Sequence, residues 1–296
     1  MRVSSDSTST ILPQLNQLQA RQSQLQSTIS SGKKLTTASD APADAALVAR
    51  MSTEQQAAVS YRRNADLAIT YLETSDQQLS MLNQFHDQAQ GLLENYQADP
   101  SASQQQATVE TLNALLEQIN STVNDTVNDQ TIFGSDGVST TPFTTTRDAD
   151  GNITSFTYEG GTGDWKLPGS ATAQISAGTS GTTNQGLADW ANQVVALRDA
   201  VAAGDTTALT AASDGLGTAE DNLLVAQVEL GGKLARAEAV RTSEDNRYNL
   251  RQDSINQRTE ANVTEAIVQF NQVNQAYQAS LQVASMTMNL SLVDFL

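Results

Sequence analysis

The sequence predicts a mainly α-helical protein, an elongated antiparallel hairpin or coiled-coil rod of N- and C-terminal segments with a small β-rich domain inserted in the middle. Near both ends, apolar residues recur in alternating steps of four and three, a spacing typical of coiled coils. Residues 131–186 hold 10 of the 17 glycines and follow no helical period. Hydrophobic residues form 39% and aromatic residues 5% of the chain, which suits an elongated molecule better than a thick single core.

The first segment is predicted to be a helix that ends at Gly32. Pro13 lies where it interferes with the first turn of this helix. The loop SGKKLTTASDAP follows, in which Ser39 or Asp40 can cap the next helix and Pro42 suits its first turn. The stripe of the first helix comprises Ile11, Leu15, Leu18, Gln22, Leu25 and Ile29.

The next helix is predicted to run from about Pro42 to the sequence ADPS at 98–101. Twelve of its fifteen stripe positions, from Leu47 to Tyr96, are apolar, and a helix this long is typical of a coiled coil. A shorter helix is predicted over about 102–130, with Leu112, Leu116 and Ile119 on one side.

Residues 131–186 are predicted to form a β-rich insert. Two β-branched and aromatic runs flank Asp150 and Gly151, which is a strong hairpin signal. The runs DWKL and ATAQIS are candidates for two further short strands.

Helical patterning returns near residue 187. One short helix is predicted to end at Gly204, and a second long helix runs from about 206 towards 258. The last segment has a regular apolar stripe, and from Ala261 onward only Glu265 and Asp294 carry charge. Its stripe comprises Val263, Ile267, Phe270, Asn274, Tyr277, Leu281, Ala284 and Met288.

These elements are arranged symmetrically about the insert. The predicted divisions are an N-terminal assembly helix (1–40) pairing with a C-terminal assembly helix (259–296), two halves of a helical rod (41–130 and 187–258), and the outer β insert (131–186).

The formal net charge is -17, and most of it lies in the middle of the chain. Residues 95–230 carry 3 basic and 17 acidic residues, whereas the segments on either side are close to neutral. An acidic surface disfavours nucleic acid and anionic membranes, so neither is an expected partner. No segment has the length and apolarity of a membrane-spanning helix or the pattern of a cleaved signal peptide.

The two terminal helices are predicted to be the assembly surface. A helix that is apolar nearly all round belongs inside a larger assembly, and one partner helix cannot cover the closing MNLSLVDFL. We expect both ends to be mobile in the monomer and to become ordered on polymerisation. The predicted surface residues are Ile11, Leu15, Leu18, Leu25, Ile29, Val263, Ile267, Phe270, Tyr277, Leu281, Met288, Leu290, Leu292, Phe295 and Leu296.

Several stretches resemble the flagellin superfamily of bacterial axial proteins, and within it the hook–filament junction family, hook-associated protein 3. TISSGKKLTTASDAPADAALVARM is similar to that family's signature before its long helix, and TIFGSDGVSTTPF to its turn into the outer domain. VAQVELGGKLARAEAVRTSEDNR resembles its Gly-x-(Arg/Lys)-Leu-x-x-x-Glu helix, and the segment from Glu260 to Leu296 resembles the junction family's C-terminus. Together the matched stretches cover about half of the chain.

The resemblance implies a structural subunit that polymerises at the junction and connects the hook side to the filament through its terminal helices. It implies export by the flagellar type III route to the extracellular flagellum, with a cytoplasmic chaperone. The implied partners are other copies of the chain, hook-associated protein 1 on the hook side and flagellin on the filament side. The alternative within the superfamily is a short flagellin that forms the filament itself.

No catalytic, cofactor-binding or metal-binding residues are predicted. The chain has no cysteine, and its one histidine, His86, falls on the apolar stripe of the long helix, where a packed residue is expected. Asp148, Asp150 and Asn152 match the first ligand positions of a calcium loop, but the sixth position is Ile153 where that loop needs glycine. A secreted enzyme with a helical stalk is the hypothesis from another class, and the insert lacks catalytic parts for it.

Overall fold

Helices dominate the computed structural model, which describes residues 4–35, 37–39, 41–135 and 141–293, with side chains from 12 to 286 within those ranges. The helices are α1 Ser4–Ser31, α2 Pro42–Ala98, α3 Ala102–Val123, α4 Gly181–Ala203, α5 Thr206–Thr259 and α6 Val263–Val293. The strands are β1 Thr126–Val127, β2 Gln130–Thr131, β3 Phe143–Arg147, β4 Ile153–Tyr158, β5 Lys166–Pro168 and β6 Gln174–Ser176. The mainly α fold with a small β insert is therefore confirmed.

The three pairs of strands are antiparallel hairpins. The predicted hairpin around Asp150 and Gly151 is β3–β4, and Gly151 takes a left-handed φ of 89° in its turn. The runs DWKL and ATAQIS supply β5 and β6, which pair with each other. Alternation of β-branched and polar residues around turn residues is sufficient to locate these strands.

Two helix boundaries differ from the prediction. α3 ends at Val123 rather than near 130, because the Asn124 side chain turns to the β region, where it accepts from Phe143 N at 3.0 Å. Asn128 and Asp129 then take left-handed φ values of 51° and 62° and connect β1 to β2. Both residue types tolerate this conformation in tight turns. α4 begins at Gly181 rather than near 187, because the Ser180 side chain caps it by accepting from Thr183 N. Pro13, expected to interfere with the first turn of α1, lies inside that helix.

The chain forms two compact units, one of Ala58–Asn246 and one of Met1–Ala57 with Arg247–Leu296. The first, which we call the central unit, contains most of the buried core. α2, α3, α4 and α5 each contribute a line of leucines, alanines or valines to that core, and α4 adds the fully buried Trp190. Steps of three and four place these residues on one side of each helix, which is why the helices bury one face each.

The β strands of the central unit are attached to α4 by polar side chains. Asn192 of α4 accepts from Phe156 N at 2.8 Å and donates to Phe156 O at 3.0 Å, as a neighbouring strand would. The buried Arg198 donates to Ile153 O at 2.8 Å, and Asn184 donates to Phe133 O at 2.7 Å. These contacts satisfy backbone groups of β4 and of the turn after β2 that have no partner within the strand pairs.

Candidate assembly surface of the terminal helices

The second unit, which we call the terminal unit, brings the two ends of the chain together. α1 ends at Ser31, and the following Gly32 turns the chain with a left-handed φ of 67°. Lys33 then forms an antiparallel bridge with Glu260. Lys34 N donates to Thr259 O at 2.8 Å, and Ala261 N donates to Gly32 O at 2.9 Å. These bonds fix the start of α6 beside the end of α1, so the predicted pairing of the terminal helices has a defined register.

Ion pairs connect α2 and α5 within the terminal unit. Arg258 lies 2.8 Å from Asp44, Arg251 lies 3.2 Å from Glu54, and these side chains are about one quarter to one half exposed. Exposed pairs of this kind contribute little stability each. They show that this part of the unit has an ordinary charged surface.

α1 and α6 pack together with few charges. Between residues 12 and 31 the only charged residue is Arg21, and in α6 it is Glu265. Leu25 and Ala266 are buried, each 6% exposed. The other less exposed positions of α6 are Val263, Gln269, Phe270, Val273, Asn274, Tyr277, Ser280 and Ala284.

The inward-facing stripe of α6 is shifted from the predicted one. It begins Val263, Ala266, Phe270, in steps of three and four, where the sequence predicted Val263, Ile267, Phe270. Consequently Ile267 and Leu281 do not lie in the packed stripe, and each is 44% exposed. The spacing of apolar residues allowed both registers, and the packing against α1 selected the one with alanine at 266.

The remaining predicted surface residues fall into three groups. Leu25 is buried, and six are partly buried, namely Leu15, Leu18, Ile29, Val263, Phe270 and Tyr277. The side chains of Ile11, Met288, Leu290 and Leu292 lie outside the described side chains, and Phe295 and Leu296 lie outside the described residues.

Five exposed apolar residues among the described side chains of the terminal unit were not among those predicted from the sequence. They are Leu12, Leu250, Val268, Val283 and Met286, and Met286 is 63% exposed. The available signal was their position off the stripe, since an apolar residue that is not on the packed face must lie towards solvent or another chain. On α6, Val268, Val283 and Met286 join Ile267 and Leu281 as uncovered apolar side chains outside the packed stripe. A group of uncovered apolar side chains of this kind marks an interaction site.

His86 of the central unit is a packed residue, as predicted. It is 2% exposed, and Trp190 Nε1 donates to its Nδ1 at 3.1 Å. Because Nδ1 accepts this bond, the neutral ring carries its hydrogen on Nε2, which lies 2.9 Å from the Gln90 amide and 3.7 Å from Glu220 Oε2. The ring is thus used in packing α2 against α4 and α5.

The calcium-like segment is a β turn with internal hydrogen bonds. Asp148 Oδ1 accepts from Asp150 N at 3.0 Å and Asn152 N at 2.9 Å, and strands rather than helices flank it. The bond from the Asn152 side chain, with those from the backbone, lowers the pKa of Asp148. Among the described residues, no group of three or more His, Asp or Glu side chains is placed to hold a metal ion.

A carboxylate network fixes the start of α4. Glu229 of α5 accepts from Ser180 N at 2.9 Å and from the Thr183 hydroxyl, and it pairs with Lys233 at 2.5 Å. Burial opposes ionisation of Glu229, but bonds from Lys233 and Thr183 outweigh it and lower the pKa of this carboxyl. An acceptor at a helix N-terminus satisfies donors that the helix itself leaves free, so the role of this network is structural.

Part of the chain matches a known protein family. Residues 5–136 match the family model of the bacterial flagellin N-terminal helical region. No curated protein matches the chain in sequence. None of the described helices is long and apolar enough to cross a membrane.

Two solved structures show similarity to this chain. One is described as a flagellar hook-associated protein from Vibrio parahaemolyticus, with 13% identity and a TM-score of 0.64 over 75% of this chain and 100% of that chain. The other is FlgL of Bacillus cereus, with 20% identity and a TM-score of 0.48 over 73% of this chain and 100% of that chain. At such low identity, the likeness to the Vibrio protein shows a shared fold.

Proposed function

We propose that this chain is a flagellin-like structural protein that polymerises at the hook–filament junction and connects the hook side to the filament. The match of residues 5–136 to the helical N-terminal region of bacterial flagellins supports the flagellar assignment. The likeness to a solved hook-associated protein supports this place in the flagellum over the filament itself. So does the resemblance of residues 260–296 to the C-terminus of the junction family.

The uncovered apolar surface of α6 is the observation that carries the proposal. Ile267, Leu281 and Met286 are long apolar side chains that α1 leaves between 44% and 63% exposed. Removing such side chains from water stabilises a contact by roughly 25 cal/mol per Å² buried. Other subunits provide that burial in an assembly, so the terminal unit is the part through which the chain polymerises.

The proposed partners follow from this position. Copies of the chain meet side by side, hook-associated protein 1 lies on the hook side, and flagellin lies on the filament side. Export through the flagellar type III route delivers the chain to the outside of the cell, and a cytoplasmic chaperone covers the terminal helices before export.

Deletion of the gene tests the proposed place in the flagellum. We expect cells to keep the hook, lose the filament and release flagellin into the medium, because filament subunits have no surface on which to start. Cells that keep normal filaments would contradict the junction role. Long filaments formed by the purified protein alone would instead indicate a flagellin.

The substitution Leu281→Asp tests the terminal surface itself. Since Leu281 is 44% exposed, we expect the unfolding midpoint of the monomer to change little, while incorporation into flagella is lost. Ala211→Asp, which adds the same charge at an exposed position of α5 in the central unit, is the matched control and retains incorporation. Immunoblots of isolated flagella measure the outcome, and normal incorporation of the Leu281 variant would refute the assembly role of this surface.

A further inference from the structure

An open groove lies within the central unit, between the hairpin β5–β6 and the helices α2 and α5. Its volume is about 800 Å³, which falls in the range of about 300–1,000 Å³ that small-molecule sites occupy. Tyr61 of α2 and Arg236 of α5 line it, and most of its other lining residues belong to the hairpin and its turn. We call this space the hairpin groove.

The alternation of side chains along β5 and β6 gives the hairpin one polar and one apolar face. The strands pair Lys166 with Ser176 and Pro168 with Gln174, and all four residues line the groove. The residues between them lie on the opposite face, and Ile175 there is buried in the core. The hairpin therefore packs its apolar face into the central unit and presents its polar face to the groove.

Basic residues are concentrated around this groove, although the central unit as a whole is acidic. Residues 58–246 contain 8 Lys and Arg against 25 Asp and Glu, and six of the eight basic residues lie on α2, β5 and α5. Three of the six are held in ion pairs, namely Arg62, Lys233 and Arg241. Asp164, the acidic residue of the groove lining, is paired with Lys233. Within the described part of the chain, Lys166 and Arg236 line the groove without a carboxylate partner.

The hydrogen bonds of the hairpin turn favour a carboxylate over a phosphate as the anion. Lysine and arginine bind both, but phosphate sites commonly add the backbone N–H groups of a turn or a helix start. Here those groups are already used, since Gly169 N and Ser170 N donate to Ala173 O at 2.9 and 3.0 Å. Thr172 N and Ala173 N donate to Ser170 Oγ at 3.3 and 2.9 Å. The groove thus offers charged side chains rather than a cradle of backbone donors.

The uncharged lining of the groove suits a sugar ring. The hydroxyls of Tyr61 and Thr172 and the side-chain amide of Gln174 have no hydrogen-bond partner within the described part of the chain. The Tyr61 ring combines an apolar face with a polar tip, and Pro168 and Ala171 add small apolar surfaces. A ligand that matches this lining carries apolar ring faces, several hydroxyls and a carboxylate.

We propose that the hairpin groove binds an acidic saccharide, a short run of hexuronate units. Lys166 and Arg236 bind the carboxylates, the Tyr61 ring packs against a sugar face, and the hydroxyls of Tyr61 and Thr172 exchange hydrogen bonds with sugar hydroxyls. The acidic surface of the rest of the central unit repels long polyanions, so the groove receives a short segment or a chain end. This binding site goes beyond the proposed function and does not depend on polymerisation, so its failure would leave the junction role standing.

Calorimetric titration of the purified full chain with trigalacturonate tests the ligand class. We expect saturable binding, and binding weaker by about tenfold or more for its methyl ester, which keeps the rings and loses the charge. Triglutamate has carboxylates without sugar rings, and inorganic phosphate is an anion alone, so both should also bind more weakly by about tenfold or more. Equal binding of the ester, of triglutamate or of phosphate overturns the proposal, as does the absence of binding of trigalacturonate.

The substitution Lys166→Gln tests the site. Lys166 is exposed, so we expect an unchanged melting temperature and an affinity for trigalacturonate lower by about tenfold or more. Arg63→Gln removes an exposed cation of α2 that does not line the groove, and this matched control retains the affinity. Unchanged affinity of the Lys166 variant, or an equal loss in the Arg63 variant, overturns the site.

A second substitution, Arg236→Gln, is expected to weaken binding to a similar extent. Arg236 also donates to Gln174 O at 3.2 Å and so contributes to holding the hairpin against α5. If the melting temperature of this variant falls, the Lys166→Gln result decides the proposal. If the variant folds like the parent and binds trigalacturonate like the parent, the assignment of the two cations is overturned.

Discussion

Long apolar side chains are buried to different extents in the two units of this protein. In the central unit, Leu72, Leu79 and Leu82 of α2 are fully buried beneath α3, α4 and α5. In the terminal unit, α6 packs against α1, and within the described part of the chain Ile267 and Leu281 of α6 remain 44% exposed. A helix with several neighbours buries its apolar face within the chain, whereas a helix with one neighbour leaves part of that face for other molecules.

The difference in packing should have its largest effect on the free energy of unfolding when leucine is replaced by alanine in each unit. Leu79→Ala in the central unit removes a fully buried side chain and is expected to lower the free energy of unfolding by about 2–5 kcal/mol. Leu281→Ala in the terminal unit should change it by about 0.5 kcal/mol or less. Urea unfolding of both variants makes the comparison, and equal losses would contradict the division into a packed and an uncovered unit.

Hydrogen exchange of the monomer should show the same contrast. The amides of α6 lie on a helix with one partner, so they are expected to exchange at least tenfold faster than those of α2 around Leu72 and Leu79. Assembly should slow the α6 amides towards the rate of the central unit, because other subunits then cover the helix. Equal protection of both helices in the dilute monomer would show that the terminal helices are stable alone.

The Glu229 network offers a pH-dependent test within the central unit. Glu229→Gln should lower the free energy of unfolding by about 0.5–1.5 kcal/mol at neutral pH, through loss of charged hydrogen bonds. The folded-state pKa of Glu229 is lowered from its ordinary value of 4.5. Its contribution is therefore present above that pH and is lost as the pH falls through the folded-state pKa. Unfolding measured at neutral pH and well below 4.5 should show the variant and parent converging, and a constant gap would exclude this role.

The smallest effect is expected from the exposed ion pairs of the terminal unit. Arg258 and Asp44 are both 42% exposed, so Arg258→Ala should lower the free energy of unfolding by about 0.5 kcal/mol or less. Added salt should reduce that difference further. A loss above about 1 kcal/mol, which salt leaves unchanged, would mean that this pair holds the terminal unit together more strongly than its exposure indicates.

Periodicity and turn chemistry are enough to locate most elements of this chain. The steps of four and three predicted α2 and α5, glycine predicted the ends of α1 and α4, and Asp150-Gly151 predicted the hairpin β3–β4. The predicted end of α3 was wrong. The tight turn in the run TVNDQT could not be recognised from the sequence, because the run lacks the glycine that is typical of such turns. There, Asn128 and Asp129 adopt the left-handed conformation that glycine adopts elsewhere.

The sequence by itself determined which helices are amphipathic and where the chain turns, because both depend on neighbours along the chain. Only the tertiary structure decided that Ala266 rather than Ile267 faces α1, that Trp190 donates to His86, and that the polar face of β5–β6 lines a groove. A period of three and four fixes a helical stripe only to within one position, and the partner surface selects among the choices. Which apolar residues remain exposed is therefore a property of packing, and in α6 those residues are the ones proposed to build the assembly.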